Sequence, residues 1–161
     1  MTQVVDTVDQ RQLRTALGHF ATGIAVVTTV ADGEPIGMTV NSLCSVSLSP
    51  PILLFCVGHR SQLHPVFTAA QHFAVHVLAS GQEQVCSQFA RPGRSRFGDL
   101  PWQPGHTGSP LLPNSLVTLE CAAERVITAG DHDIVLMSVQ HLHPLCGDTP
   151  LLFFAGDVRD L

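Results

Sequence analysis

A set of short polar side chains between residues 37 and 61 is the best candidate in this sequence for binding a ligand. The set consists of hydroxyl and amide groups placed around two apolar runs: Thr39, Asn41, Ser42, Ser45 and Ser61. Arg60 comes directly before the last of these, in a loop that contains a glycine. Short hydrogen-bond donors with one arginine suit a phosphate and the edge of a heteroaromatic ring. Serine and asparagine also favour turns through local hydrogen bonds, so a ligand site and ordinary turn chemistry are both open at this point.

Several kinds of chemistry are excluded by residues that the sequence lacks. It has no lysine and no tyrosine, and its eight cationic side chains are all arginines. Schiff-base chemistry, a P-loop lysine and a Tyr/Lys dehydrogenase site are therefore ruled out. Neither GxGxxG nor GxSxG occurs, so a Rossmann dinucleotide site and a nucleophile-elbow hydrolase are not supported. A bound phosphate must rely on arginine, hydroxyl and backbone N–H groups.

The nine histidines suggest a metal site, but their spacing does not support one. His141 and His143 are two residues apart and share a strand face, and His132 lies between two aspartates. A metal site needs three or four converging ligands, and no His/Cys cluster has a zinc-finger spacing. We predict no metal site. Cys44 and Cys56 lie in apolar or hydroxyl-rich strand segments, which favours small core residues over nucleophiles.

The composition predicts one domain over residues 1–161. Of these residues 45% are hydrophobic and only 13% are charged, so we expect part of the apolar surface to be buried in an oligomer. The net charge of −5 argues against nonspecific nucleic-acid binding. The N-terminus is polar, no apolar run reaches the roughly 18 residues of a membrane helix, and the five cysteines form no CxxC. We expect a reduced, cytoplasmic protein with no membrane association.

Residue patterns predict many strands and few helices. Helices are predicted at 9–20, with Asp6 or Thr7 as the cap, at a short segment from residue 61, and at 82–89. Strands are predicted at 24–30, 36–40, 46–48, 52–57, 73–78, 115–127, 133–143 and 151–154. Residues 91–113 form a long loop that carries Arg91, Arg94, Arg96 and Trp102, and such a loop is often functional. This order favours a mainly-β barrel with antiparallel connections.

A series of short motifs runs in order from about residue 13 to 156: FATG at 20–23, GMTVNSL at 37–43, SVSLSPP at 45–51, RF at 96–97, AGDH at 129–132 and PLLFF at 150–154. Taken together, these motifs resemble those of the flavin reductase-like proteins with the FMN-binding split-barrel fold. The resemblance implies a six-stranded antiparallel Greek-key split barrel, a homodimer, and reduction of FMN or FAD by NADH or NADPH. It also implies that the reduced flavin passes to a separate monooxygenase.

The resemblance also implies roles for particular residues. The isoalloxazine ring and ribityl chain would contact Met38, Thr39, Asn41, Ser42, Leu43 and Ser45. The phosphate would be held by Gly58, Arg60, Ser61 and Gln62, with Ala90, Arg96 and Phe97 closing over it. His132 would lie beside the nicotinamide and is the expected catalytic residue. Members often carry a second hydroxyl or a basic residue shortly after the Ser61 position, where this chain has Gln62 and Leu63, so phosphate binding is expected to depend more on Arg60 and Arg96.

Two other functions are compatible with the same residues. One is a flavoprotein that keeps FMN bound and reduces another small molecule. The other is a flavin-binding module with no enzymatic activity. The AGDH turn weighs against the module, because a protein that only binds flavin needs no histidine on the nicotinamide side.

Overall fold

A computed structural model describes residues 8–93, 96–147 and 149–161. It is mainly β, as predicted. The helices are α1 (Gln10–Gly18), α2 (His64–Ala69) and α3 (Glu83–Ala90). The strands are β1 (Thr22–Gly23), β2 (Ala25–Ala31), β3 (Glu34–Val40), β4 (Cys44–Leu48), β5 (Pro51–Gly58), β6 (His72–Val77), β7 (Gln103–Pro104), β8 (Pro110–Leu111), β9 (Val117–Ala129), β10 (His132–Leu142), β11 (Leu151–Phe154) and β12 (Asp157–Asp160). In these residues, no helix has the length and apolar character needed to cross a membrane.

The largest sheet has seven strands in the order β3-β2-β6-β9-β10-β5-β4, where six strands were expected. All of its neighbouring pairs are antiparallel. The two longest strands, β9 and β10, are joined by a tight turn in which Gly130 has a φ of 66°. Because β10 also pairs with β5, His132 lies opposite Gly58. This register brings two segments that are far apart in sequence to one edge of the sheet.

One core cluster fills the space against this sheet and contains three phenylalanines. Phe55, Phe67 and Phe73 are fully buried, and the ring centroids of the first two lie 5.9 Å apart in an edge-to-face arrangement. Burying each such ring stabilises the fold by roughly 1.5–3 kcal/mol. Since Phe67 belongs to α2, this cluster fixes that short helix against β5 and β10.

A second cluster joins α3 to β2 and β11. Phe89 and Phe97 are buried in it, with ring centroids 4.9 Å apart. Gly37 lies beneath the Phe89 ring, and a Cβ placed on Gly37 would come within 2.6 Å of Phe89 Cε1. The absence of a side chain at residue 37 is therefore what lets α3 pack on β3.

The substitution Gly37→Ala should destabilise the protein by about 1–3 kcal/mol, because a rigid ring and its helix must move to admit one methyl group. Chemical denaturation measures the change. Gly23→Ala is the matched control, since no atom lies within 4 Å of its added Cβ. Equal stability of the two variants would contradict this packing.

A buried histidine in β6 makes the fold sensitive to acid. His76 Nε2 lies 3.1 Å from the Pro110 carbonyl oxygen, and Nδ1 lies 3.3 Å from Thr118 Oγ1. Burial lowers the pKa of His76 from 6.5 to about 4; the Pro110 carbonyl raises it, His143 lowers it and Glu120 raises it. The imidazole is therefore neutral in the folded protein at pH 7.

Stability should fall as the pH drops from 6.5 toward 4, because the unfolded chain binds a proton at residue 76 in that range and the folded chain does not. Between pH 7.5 and 4.5 we expect a loss on the order of 2–3 kcal/mol from this group. Denaturation at several pH values tests this. His76→Leu should flatten the dependence, whereas His72→Leu, at an exposed histidine of the same strand, should preserve it.

The first helix differs from the expected one in its start and its surroundings. Asp9 is the cap, and its carboxylate accepts hydrogen bonds from the backbone N–H groups of Arg11 and Gln12; Asp6 and Thr7 lie outside the described residues. An apolar stripe is formed by Leu13 and Leu17 of this helix and by Phe20 just after it. The exposed fractions of these three residues are 46–74%. The stripe is thus available for contact with another surface.

The long loop and the C-terminus contain strands that the residue patterns did not predict. Residues 91–113 include the short pair β7 and β8, and Arg94 lies outside the described residues. The last strand, β12, pairs with β11, and Val158 lies opposite Phe153. This pairing carries Val158 to the cavity described next.

Candidate functional site

A cavity of about 520 Å³ lies where β3, β5, α3 and β10 approach one another. Ligand sites in proteins commonly measure about 300–1,000 Å³, so a cofactor-sized molecule fits the volume. Nine of the fourteen site residues expected from the sequence line it: Met38, Thr39, Asn41, Ser42, Gly58, Ser61, Ala90, Arg96 and His132. The fold therefore brings most of the expected set to one place.

The other five expected residues lie outside this lining: Leu43, Ser45, Arg60, Gln62 and Phe97. Leu43 is half-buried and packs against the first core cluster. Ser45, Arg60 and Gln62 are exposed. Phe97 is buried in the second cluster between Phe89 and Trp102, because burial among aromatic rings is the stable place for an apolar side chain. Of the two arginines expected at a phosphate, only Arg96 reaches the cavity.

The remaining lining residues are mostly apolar and were not predicted: Ile24, Val40, Cys56, Val57, Cys86, Phe89, Phe153 and Val158. They form the wall against which a flat ring can lie. No pattern in the sequence separates them from ordinary core residues. The thiol of Cys86 is buried, and burial raises its pKa above the usual range, with the nearby Glu83 adding to the effect.

Three hydroxyl groups that line the cavity also form hydrogen bonds to the protein backbone. Thr39 Oγ1 donates a hydrogen bond to the Cys86 carbonyl at 2.7 Å. Ser42 Oγ accepts one from the Cys56 N–H at 3.0 Å, and Ser61 Oγ accepts one from the Leu63 N–H at 3.2 Å. Since a hydroxyl both donates and accepts, the two serines keep their protons for a ligand, whereas Thr39 can only accept.

Arg96 carries positive charge to the cavity while it anchors the end of α3. Its Nε donates to the Gly93 carbonyl at 2.9 Å, and its Nη1 donates to the Phe89 carbonyl. Partial burial lowers the pKa of Arg96, but a guanidinium remains charged at neutral pH. Among the described residues that line the cavity there is no carboxylate. This balance of charge suits an anionic ligand such as a phosphate.

His132 is held at the cavity edge by its neighbours. Its Nδ1 lies 2.7 Å from Asp131 Oδ1, and this hydrogen bond lowers the pKa of the Asp131 carboxyl. The other ring nitrogen, Nε2, lies 3.3 Å from the position that a Cβ on Gly58 would take. Glycine at residue 58 therefore makes room for the ring. With Nδ1 donating to the carboxylate, Nε2 is left to accept a hydrogen bond, or to donate one once protonated.

Comparison with known proteins agrees with the resemblance stated above. The flavin reductase like domain model matches residues 17–161. The chain is 43% identical over 148 residues to the FMN reductase (NADH) SmoA of Agrobacterium fabrum, covering 92% of this chain and 84% of that protein. It is 35% identical over 151 residues to the reductase subunit HsaB of a flavin-dependent monooxygenase from Rhodococcus jostii, covering 94% and 77%.

A solved structure gives the same result in three dimensions. The NADH:FAD oxidoreductase SgcE6 of Streptomyces globisporus, solved with NAD and FAD fragments, matches with a TM-score of 0.90 and 41% identity. The match covers 98% of this chain and 96% of that one. The chain therefore belongs to the flavin reductase like family.

Proposed function

We propose that this protein catalyses the reduction of FMN or FAD by NADH and supplies the reduced flavin to a separate flavin-dependent monooxygenase. The observation that carries the proposal is the cavity formed by the 38–42 and 58–61 segments in a chain of this family. Its relatives include an FMN reductase (NADH), an NADH-dependent FAD reductase and the reductase subunit of a monooxygenase.

The lining residues fit a flavin in shape and in charge. The apolar wall suits the ring, and the hydroxyl protons of Ser42 and Ser61 suit ribityl or phosphate oxygens. Met38, Thr39 and Asn41 complete the proposed ring side of the site. We assign the phosphate to Ser61, Gly58 and Arg96, with Ala90 beside it; Arg60 is not part of this assignment. Bound flavin supplies the hydride acceptor.

The proposed role of His132 is to orient the nicotinamide. Hydride passes directly between two rings, so the reaction depends on placing them more than on an acid–base pair. The Asp131 carboxylate fixes the imidazole by its Nδ1, which leaves Nε2 for a polar group of the donor. The absence of a conspicuous acid–base motif is consistent with this chemistry.

We further interpret the sheet as the six-stranded Greek-key split barrel of the family. The support is that buried side chains of the first core cluster come from six strands: β2, β3, β5, β6, β9 and β10. The seventh strand, β4, has exposed or half-buried residues throughout. It is thus an edge addition to the strands that enclose the core.

A homodimer is the proposed assembly, supported by the exposed stripe of Leu13, Leu17 and Phe20. Covering these side chains with a second copy would remove apolar surface from water. Sedimentation of Leu17→Arg should show a shift toward monomer relative to the unchanged protein and to Arg14→Lys on the same helix. A dimer of unchanged stability would place the interface elsewhere.

One steady-state assay tests the main proposal. NADH and NADPH are each crossed with FMN and FAD, and nucleotide oxidation is followed by absorbance. We expect oxidation by NADH that rises with added free flavin. A protein that stays coloured after extensive gel filtration and needs no added flavin would instead indicate a permanently bound cofactor. Flavin binding without turnover of either nucleotide would indicate a binding module.

A further inference from the structure

Three side chains outside the cavity lining converge at one point beside it. His59 Nε2 lies 3.0 Å from Asp133 Oδ1, and His64 Nε2 lies 2.8 Å from Asp133 Oδ2. The two imidazole rings meet edge to face with centroids 5.2 Å apart. One ligand atom from each residue lies within 4.8 Å of the other two. These three residues are called the His-His-Asp cluster below.

The fold holds the cluster firmly from three elements. Asp133 lies opposite Val57 in the β5–β10 pairing. The loop that carries His59 is fixed to the turn directly before β10, because the His59 N–H donates to the Asp131 carbonyl at 2.9 Å. His64 begins α2, which Phe67 anchors in the first core cluster. The three donors are therefore placed by buried packing and by the sheet, not by flexible side chains alone.

We propose that the His-His-Asp cluster binds one divalent transition-metal ion of the Zn²⁺ class. Two imidazole nitrogens and a carboxylate are donors that Zn²⁺, Co²⁺, Ni²⁺ and Cu²⁺ accept, whereas Mg²⁺ and Ca²⁺ prefer oxygen alone. Donors bound to zinc at about 2.0–2.2 Å in a tetrahedron lie roughly 3.3 Å apart. The two His–Asp separations, 3.0 Å from His59 to Oδ1 and 2.8 Å from His64 to Oδ2, would open by a few tenths of an ångström, and one donor atom from each of the three residues already lies within 4.8 Å of the other two.

The surroundings meet two further requirements of a metal site. To bind the ion, each imidazole would carry its proton on Nδ1 and turn the lone pair of Nε2, which now faces the Asp133 carboxylate, to the metal. Thr128 lies directly opposite Asp133 in the β9–β10 pairing, where its side chain can orient the carboxylate from outside the ligand shell, as metal sites commonly require. The side chains of His59, His64 and Asp133 are 37%, 23% and 11% exposed. This opening admits the ion and a water as fourth ligand.

A bound ion would tie the 58–64 loop to β10 directly. That loop and strand contribute Gly58, Ser61 and His132 to the cavity lining. The ion would therefore stiffen one edge of the cavity without touching its contents. Its binding is independent of the proposed reductase activity and is measured without flavin or nucleotide.

The experiment is a calorimetric titration of ZnCl₂ into the full-length protein after treatment with EDTA, paired with thermal unfolding. We expect one saturable site per chain and a rise of several degrees in the unfolding midpoint, because an ion that binds only the folded state stabilises it. Mg²⁺ at the same concentrations should produce neither effect. Co²⁺ should give the visible absorption of a tetrahedral site.

Variants locate the ion. His64→Gln and Asp133→Asn should weaken Zn²⁺ binding by about 100-fold or more, because losing a ligand should cost at least as much as the roughly 10–100-fold lost when a partner outside the ligand shell is changed. The matched control is His141→Gln, at a histidine outside the His-His-Asp cluster whose ring stacks on His106 with centroids 4.6 Å apart; it should bind Zn²⁺ like the unchanged protein. A cooperative thermal transition of each variant without metal shows that it is folded. If a variant is not folded, anomalous scattering at the zinc edge from crystals of the unchanged protein locates the ion instead. Absence of saturable binding, equal affinity in His64→Gln, or loss in His141→Gln would each overturn the proposal.

Discussion

Replacing Ser42 with arginine is expected to lower kcat/KM for flavin by about 100-fold or more. Ser42 lines the cavity, and its Oγ accepts the Cys56 N–H. An arginine side chain would occupy the volume proposed for the flavin and leave that backbone donor without its partner. The assay is NADH oxidation with FMN and FAD varied, together with flavin binding by fluorescence quenching. Both measurements should show the loss.

Two control variants distinguish a blocked cavity from a damaged cavity wall. Ser42→Ala removes the acceptor for the Cys56 N–H without filling the cavity, so it should cost about 1–3 kcal/mol of stability and, through the loss of one proposed hydrogen bond to the flavin, lower kcat/KM for flavin only several-fold. Ser45→Arg introduces the same side chain at an exposed site on β4, and its turnover should stay near that of the unchanged protein. If Ser45→Arg blocks flavin as strongly as Ser42→Arg, residue 45 also belongs to the flavin site, and that site extends beyond the cavity.

Replacing His132 with alanine is expected to reduce kcat/KM for NADH by roughly 100-fold, the scale on which a misplaced reactant loses rate. Flavin affinity should change far less, because His132 is one of many residues around the cavity and its ring is about half exposed. The measurements are steady-state kinetics with NADH varied at saturating flavin, and flavin binding alone. Equal losses in both would contradict the assignment of His132 to the nicotinamide.

A conservative variant shows whether hydrogen bonding is what His132 provides. Glutamine offers an amide near the position of the imidazole and does not titrate, so His132→Gln should keep more NADH turnover than His132→Ala. Asp131→Asn tests the support of the ring: it removes the negative charge that holds Nδ1. We expect a smaller loss from it than from either change at residue 132, because the ring remains beside Gly58.

The sequence predicts elements well where the local pattern is strong. The strand at 151–154 was predicted with the bounds that it has, and the alternating or apolar runs of β5, β6 and β10 were placed within a residue or two. The strand β12 was missed because Asp157, Arg159 and Asp160 are charged and all four of its residues are exposed. Its stability comes from pairing with β11, which no local pattern reports.

For the cavity, too, the residues that were predicted lie in contiguous motifs, and the residues that were missed come together only through the fold. The 37–43 and 58–61 motifs were found because each is contiguous. The apolar wall was not predicted, since Phe153 and Val158 become cavity residues only through the pairing of β11 with β12. His59, His64 and Asp133 were not grouped for a similar reason: the two histidines lie 74 and 69 residues from the aspartate in sequence, and only the fold brings the three together. The spacing of these residues in the sequence does not indicate that they are in contact.

The buried thiol of Cys86 bears on how long such an enzyme survives its own product. Reduced flavin that escapes into aerated solution generates peroxide, which oxidises thiolates far faster than thiols. Because burial raises the pKa of Cys86, this sulfur stays protonated at neutral pH, directly in the wall of the cavity. The hydrophobic packing that shapes the wall thus also serves as chemical protection against oxidative inactivation.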